Sequence, residues 1–144
     1  MRAVIDTCVI IDALQDREPF AQDAEQIILA CANRRCMGLV TAKAVTDIYY
    51  LTHRQTHSDA AARQVLSKLL VLLTLSDTTE MDVRNALTSE VSDFEDAVMI
   101  ETAIREKADC IVTRNTRDYT KSAIPVFTPA DFLKQLSDDG KFQA

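Results

Sequence analysis

Short apolar runs that alternate with stretches of helical periodicity constrain this chain more than any other feature. Residues 3–5, 38–40, 72–75, 109–113 and 126–127 read as strands. Between them, apolar residues recur at helical spacing. Ala24, Ile27, Ile28 and Cys31 mark a helix over 21–33, with Pro19 at a first helical position. Thr41 stands where it can cap a helix running to about residue 52, and Ala61, Val65, Leu66 and Leu69 share one face of a helix over 58–70. Residues 9–14 start an earlier helix and 79–88 form a later one. Ser92-Asp93-Phe94-Glu95 has the form of a capping box, so a helix is predicted over 93–107. Thr128-Pro129-Ala130-Asp131 opens a last helix with a cap, a proline and an acid in order. Strands alternating with helices predict an α/β fold whose mainly parallel sheet is covered on both faces.

A chain of 144 residues fits one domain, expected over 1–136, with 137–144 as a polar C-terminal tail. Only two Gly and three Pro argue against a turn-rich all-β fold. Asp6 and Asp12 interrupt the N-terminal apolar stretch, which excludes a signal peptide there, and the apolar run at 69–73 is too short to span a bilayer. Cys8, Cys31, Cys36 and Cys110 form no CxxC pair and have no His at zinc-ligand spacing, so reduced thiols in the cytoplasm are expected. The net charge of −6 and pI of about 4.8 weigh against nucleic-acid binding, because phosphate contacts need cations. Carboxylates that bind metal reverse that objection, since the ion inverts the local charge.

Ligands of open α/β sheets bind at the carboxyl ends of strands. Asp6 ends the first strand, and Asn115 and Asp118 follow the fourth. Asp96, Ile100 and Ala103 share one helical stripe, which places Asp96 at the end of a buried face, with Asp93 one turn earlier. Asp47 sits inside the helix after the second strand, where Asp is a poor helix former. If Asp6, Asp47, Asp96 and Asp118 converge, their mutual repulsion demands a proton or a cation. Hard oxygen donors select Mg²⁺ or Mn²⁺, and such a site suits phosphodiester hydrolysis.

The segments Val4-Ile5-Asp6-Thr7-Cys8, Thr41-Ala42-Lys43-Ala44-Val45-Thr46-Asp47, Asp93-Phe94-Glu95-Asp96 and Val112-Thr113-Arg114-Asn115-Thr116-Arg117-Asp118 resemble, in order, the PIN domain family, which includes VapC-type toxins. The resemblance covers nearly the whole chain. It implies a three-layer α/β/α fold with a five-stranded, mainly parallel sheet, a pocket binding Mg²⁺ or Mn²⁺, and endonucleolytic cleavage of RNA. It also implies a homodimer and, for a toxin, a cognate antitoxin partner. Asp6, Asp96, Asp118 and Asp93 are the implied metal ligands. Asp6, Asp47, Asp96 and Asp118 are the implied catalytic set, with Asn115, Thr7, Thr113 and Arg114 positioning water or substrate. Three positions depart from the family pattern: Asp47 stands for Glu, Asn115 for an acid, and Cys8 for Asn. Asn115 favours one metal site over a two-metal clamp.

The alternative is a weak or inactive PIN-fold module that binds RNA or protein. Asp12 reads as a surface or capping acid, Arg117 and the His53–His57 pair as surface residues, and Tyr49 or Tyr50 as a base-stacking ring or core. A haloacid-dehalogenase phosphatase is excluded by Cys8, where a second acid belongs. A receiver domain is excluded because the fifth strand ends in Phe127-Thr128-Pro129 without Lys.

Overall fold

The computed structural model describes the backbone of residues 1–143 and the side chains of residues 1–138. The chain runs β1 (Arg2–Ile5), α1 (Thr7–Leu14), α2 (Ala21–Ala32), β2 (Met37–Thr41), α3 (Ala42–Thr56), α4 (Asp59–Leu72) and β3 (Thr74–Ser76). It continues with α5 (Glu80–Leu87), α6 (Phe94–Arg105), β4 (Cys110–Val112), a 3-10 turn (Thr116–Tyr119), β5 (Val126–Phe127) and α7 (Pro129–Gln143). All strand pairs are parallel, and the five strands lie in the order β3-β2-β1-β4-β5. The expected α/β class and five-stranded sheet are therefore what the chain forms.

Alternation along the strands divides the core between two faces. Ala3 and Ile5, Val40, and Cys110 and Val112 point to the face covered by α1, α2, α3, α4 and α7. Val4, Leu39 and Ile111 point to the other face, against Ile100 and Ala103 of α6. Gly38 in β2 marks a close approach: a Cβ there would stand 2.7 Å from both the Cys31 sulfur and a Leu73 methyl. The four cysteines are free thiols.

Several boundaries differ from expectation. Pro19 is not the first helical residue, because α2 opens at Ala21 after a turn that contains the cis Glu18–Pro19 peptide. The third strand is Thr74–Ser76 rather than 72–75. The apolar run from Leu69 to Leu73 has no polar break, so periodicity does not tell the end of α4 from the start of the strand. Helix α6 begins at Phe94 with Asp93 as its cap, accepting from the Asp96 amide at 3.0 Å, so the capping box on Ser92 does not form. The segment expected as a tail from Ser137 continues α7 to Gln143, and the side chains of 139–144 lie outside the described residues. Thr41 and Thr128 cap their helices as expected, accepting from Ala44 and Asp131.

A box does form on α5. The Thr79 hydroxyl accepts from the Asp82 amide at 3.2 Å, and the Thr79 amide donates to Asp82 Oδ2 at 3.0 Å. Asp82 is buried and also accepts from Thr102 Oγ1 at 2.8 Å and Arg105 Nε at 3.0 Å, which ties α5 to α6. Burial alone would raise its pKa, but the Arg105 guanidinium, the Thr79 amide and the Thr102 hydroxyl outweigh it and hold the carboxyl below its ordinary value. A depressed pKa stabilises the fold above the unfolded value of about 3.9 and loses that contribution as pH falls through the folded value. Asp82→Asn should therefore lower stability by roughly 3 kcal/mol at pH 7. In urea unfolding, its gap to the parent should narrow as pH falls below the unfolded value and through the lower folded one.

Candidate active site

The strand order places a topological switch at the carboxyl ends of β1 and β4, since the chain builds outward through β2 and β3 before returning to the other side of β1. Asp6 leaves β1 here, its amide donating to the Val112 carbonyl at 2.9 Å. It occupies the N-cap position of α1 yet makes no capping hydrogen bond with its side chain. Its carboxylate instead accepts from Thr113 Oγ1 at 2.7 Å and from the Cys8 thiol at 3.5 Å. Burial and the Asp6 charge push the Cys8 thiol up to about 11, so it stays protonated and donates.

Asp6 opens onto a cavity of about 490 Å³ that also receives Thr7, Asp47, Asp93, Asp96, Asn115 and Asp118. Seven of the nine sequence-predicted site residues thus line one space: Thr7, Asp47, Asp96 and Asp118 from α1, α3, α6 and the 3-10 turn, and Asp6, Asp93 and Asn115 from the positions just before α1, α6 and that turn. The stripe argument for Asp96 holds: Ile100 and Ala103 are buried, and Asp96 stands at the pocket end of their face. Its carboxylate accepts from the buried Tyr119 hydroxyl at 2.8 Å. Burial raises the Asp96 pKa, the Tyr119 bond lowers it, and the neighbouring Asp93, Asp6 and Asp118 charges raise it again, to about 6. Asp96 therefore feels three neighbouring carboxylates, an arrangement that favours a cation.

The remaining two predicted residues lie behind the pocket. Thr113 is fully buried and serves Asp6. Arg114 does not line the cavity. It donates to Asp12 through Nε at 2.5 Å and Nη2 at 3.3 Å, and its guanidinium lies 4.2 Å from the Phe20 ring centre. The expectation for Asp12 is corrected too: it is 1% exposed, neither a surface acid nor a cap. The pair anchors the strand exit that carries Thr113 and Asn115. His53 and His57 are exposed and away from the cavity, and His53 stacks on Tyr49. Tyr50, 63% exposed, stands on the cavity wall.

Sequence reasoning missed three residues of the site. Lys43 reaches Asp47 at 2.6 Å and Glu95 at 3.1 Å. The Lys43–Asp47 spacing of four residues was the available signal. Glu95, read as a capping partner, faces Lys43 instead. Tyr119 carried no local signal.

All candidate donors are hard carboxylate oxygens, which suits Mg²⁺ or Mn²⁺ with several waters retained. Among the described residues, no three His, Cys, Asp or Glu side chains already stand at the spacing of a closed metal site. The donor chemistry and the raised Asp96 pKa fit a divalent ion, which would draw the carboxylates together.

This fold is that of a PIN domain: the PIN domain family model matches residues 2–117, and the chain belongs to that family. Its fold is similar to that of chains in solved toxin–antitoxin complexes and in a solved VapC toxin. One is a toxin–antitoxin complex from Klebsiella pneumoniae, 22% identical, with a TM-score of 0.65 over 88% of this chain and 97% of that one. A second is VapBC2 from Rickettsia felis bound to a promoter DNA fragment, 14% identical, TM-score 0.64, covering 89% and 98%. A third is VapC20 from Mycobacterium tuberculosis, a toxin cleaving the sarcin–ricin loop, 12% identical, TM-score 0.59, covering 76% and 86%. No curated protein matches the sequence.

Removing one partner of the buried Asp12–Arg114 pair leaves a charge without compensation. Asp12→Ala should cost about 3 kcal/mol in urea unfolding, whereas Asp12→Leu with Arg114→Met should recover most of it. A change within about 0.5 kcal/mol for Asp12→Ala contradicts the anchoring role.

Proposed function

We propose that this chain is a Mg²⁺- or Mn²⁺-dependent endoribonuclease that hydrolyses RNA phosphodiester bonds, the toxin of a toxin–antitoxin pair. The observation that carries this reading is the convergence of Asp6, Asp93, Asp96 and Asp118 on one cavity at the sheet's switch point, with Asp96 raised to about 6 by burial and its acidic neighbours. Asp6 and Asp96 are the principal ligands, with Asp93 and Asp118 completing the site. A divalent ion bound there supplies an acidified water and neutralises charge on the scissile phosphate.

The chain's own residues do the rest. Thr113 and Cys8 orient the Asp6 carboxylate by donating to it, and Tyr119 does the same for Asp96. Thr7 and Asn115, both on the cavity wall, position substrate or water, and Asp47 lines the same cavity. Arg114 acts through the loop it anchors rather than on phosphate. Tyr50 presents an exposed ring on which a base can stack. The net charge of −6 makes RNA approach depend on the bound cation.

An antitoxin partner is supported by the toxin–antitoxin complexes that share the fold. A homodimer and a cytoplasmic location belong to the same reading. No helix among the described residues is long and apolar enough to cross a membrane. The second reading, an inactive RNA- or protein-binding module, is favoured by one observation: Lys43 already compensates Asp47.

The test is cleavage of a mixed RNA pool with Mn²⁺ or Mg²⁺. Asp6→Asn and Asp96→Asn should each lower the rate at least ~100-fold while leaving the thermal midpoint within a few degrees. Cutting that survives excess chelator would sink the mechanism. RNA binding without turnover in every metal would favour the module.

A further inference from the structure

Lys43 stands where a helix least accommodates a cation. It is the second residue of α3, and a positive charge in the first turn opposes the helix dipole. No acid occupies that turn to offset it. Compensation comes from elsewhere: Asp47 one turn on, with Nζ to Oδ2 at 2.6 Å, and Glu95 from α6, with Nζ to Oε1 at 3.1 Å. The Lys43 amide is held in turn by the Thr78 hydroxyl at 3.4 Å. One ammonium thus joins carboxylates from two helices on the wall of the cavity that holds Asp6, Asp93, Asp96 and Asp118. Two of the cavity's acids thus share a fixed cation, whereas Asp6, Asp93, Asp96 and Asp118 form no ion pair among the described residues; Arg17, also on the cavity wall, donates to Gln15.

We propose that Lys43 is a built-in cation that takes the place of a second metal ion, so that the pocket binds a single divalent ion on its Asp6–Asp96 side. This rests on the metal-dependent reading above and deepens it. An ammonium bonded to Asp47 and Glu95 takes up one oxygen of each carboxylate, and its charge repels an ion approaching that wall. Lys43 also keeps a permanent positive charge beside the space where an RNA phosphate would lie, without requiring a second ion from solution. It is a positioning residue: it orders two carboxylates and sets how many ions the site takes.

The test counts ions rather than product. Mn²⁺ titration of the full chain, followed by electron paramagnetic resonance and calorimetry, should give one site per chain for the parent and for Lys43→Arg. Lys43→Met should give two, because it releases Asp47 and Glu95, and Lys43→Met with Asp47→Asn should return to one. Circular dichroism and urea unfolding verify that each variant is folded, and Lys43→Arg keeps the test informative if Lys43→Met is not. Two sites in the parent would overturn the proposal and leave the metal-dependent reading standing. One site in both the parent and folded Lys43→Met would overturn it as well, since no second site was being blocked. No Mn²⁺ bound by the parent would overturn the metal-dependent reading itself, and this proposal with it.

Discussion

Asp6 leaves the central strand of an all-parallel sheet and takes a hydrogen bond from Thr113 at the exit of the neighbouring strand, 2.7 Å away. That bond spans the switch point, so it sets a carboxylate across the one crevice that the topology opens. The surroundings support it from behind. Thr113 is buried, its Oγ1 also accepts the Asn115 amide at 3.1 Å, and Arg114 next to it is pinned to buried Asp12. A residue at an N-cap normally spends its side chain on the helix. Asp6 does not, which leaves its carboxylate facing the cavity.

Around this fixed point the electrostatics follow from sign and burial. Asp93 is committed in part to capping α6, and Asp96 shares its hydrogen-bonding capacity with Tyr119. Asp96 remains close enough to Asp93, Asp6 and Asp118 for their charges to be felt, as its upward shift records. Carboxylates crowded in a half-buried pocket bind protons or cations. Lys43 offsets the charge only on the α3 wall. On the proposed reading, an acidic chain that meets a polyanion depends on metal at the remaining acids.

Much of this was legible from residue order, for reasons that also explain the failures. The apolar runs gave strand positions because each is short, and the stripe through Asp96, Ile100 and Ala103 located a carboxylate at a buried face. Local pattern was ambiguous where two residues compete for one role: Ser92 and Asp93 both suit a cap, and the helix selects Asp93 by starting one residue later. It was silent on contacts made only by folding. Asp12 and Arg114 lie 102 positions apart, so nothing near either reveals the other: Asp12 read as a surface or capping acid, and Arg114 as a residue that positions water or substrate. Tyr119 reaches Asp96 across 23 positions and was invisible for the same reason. Lys43–Asp47 was the opposite case, a helical pair whose spacing was in plain view but whose second partner, Glu95, came from another helix.

The central claim is that carboxylates gathered at the end of β1 hold a divalent ion. A crystal soaked in Mn²⁺ and measured at the manganese absorption edge tests it most directly. The account predicts an anomalous peak in the cavity, with Asp6 and Asp96 oxygens at roughly 2.1–2.3 Å and waters completing the shell. A cavity with no peak at saturating Mn²⁺, or a peak ligated by neither Asp6 nor Asp96, would contradict it.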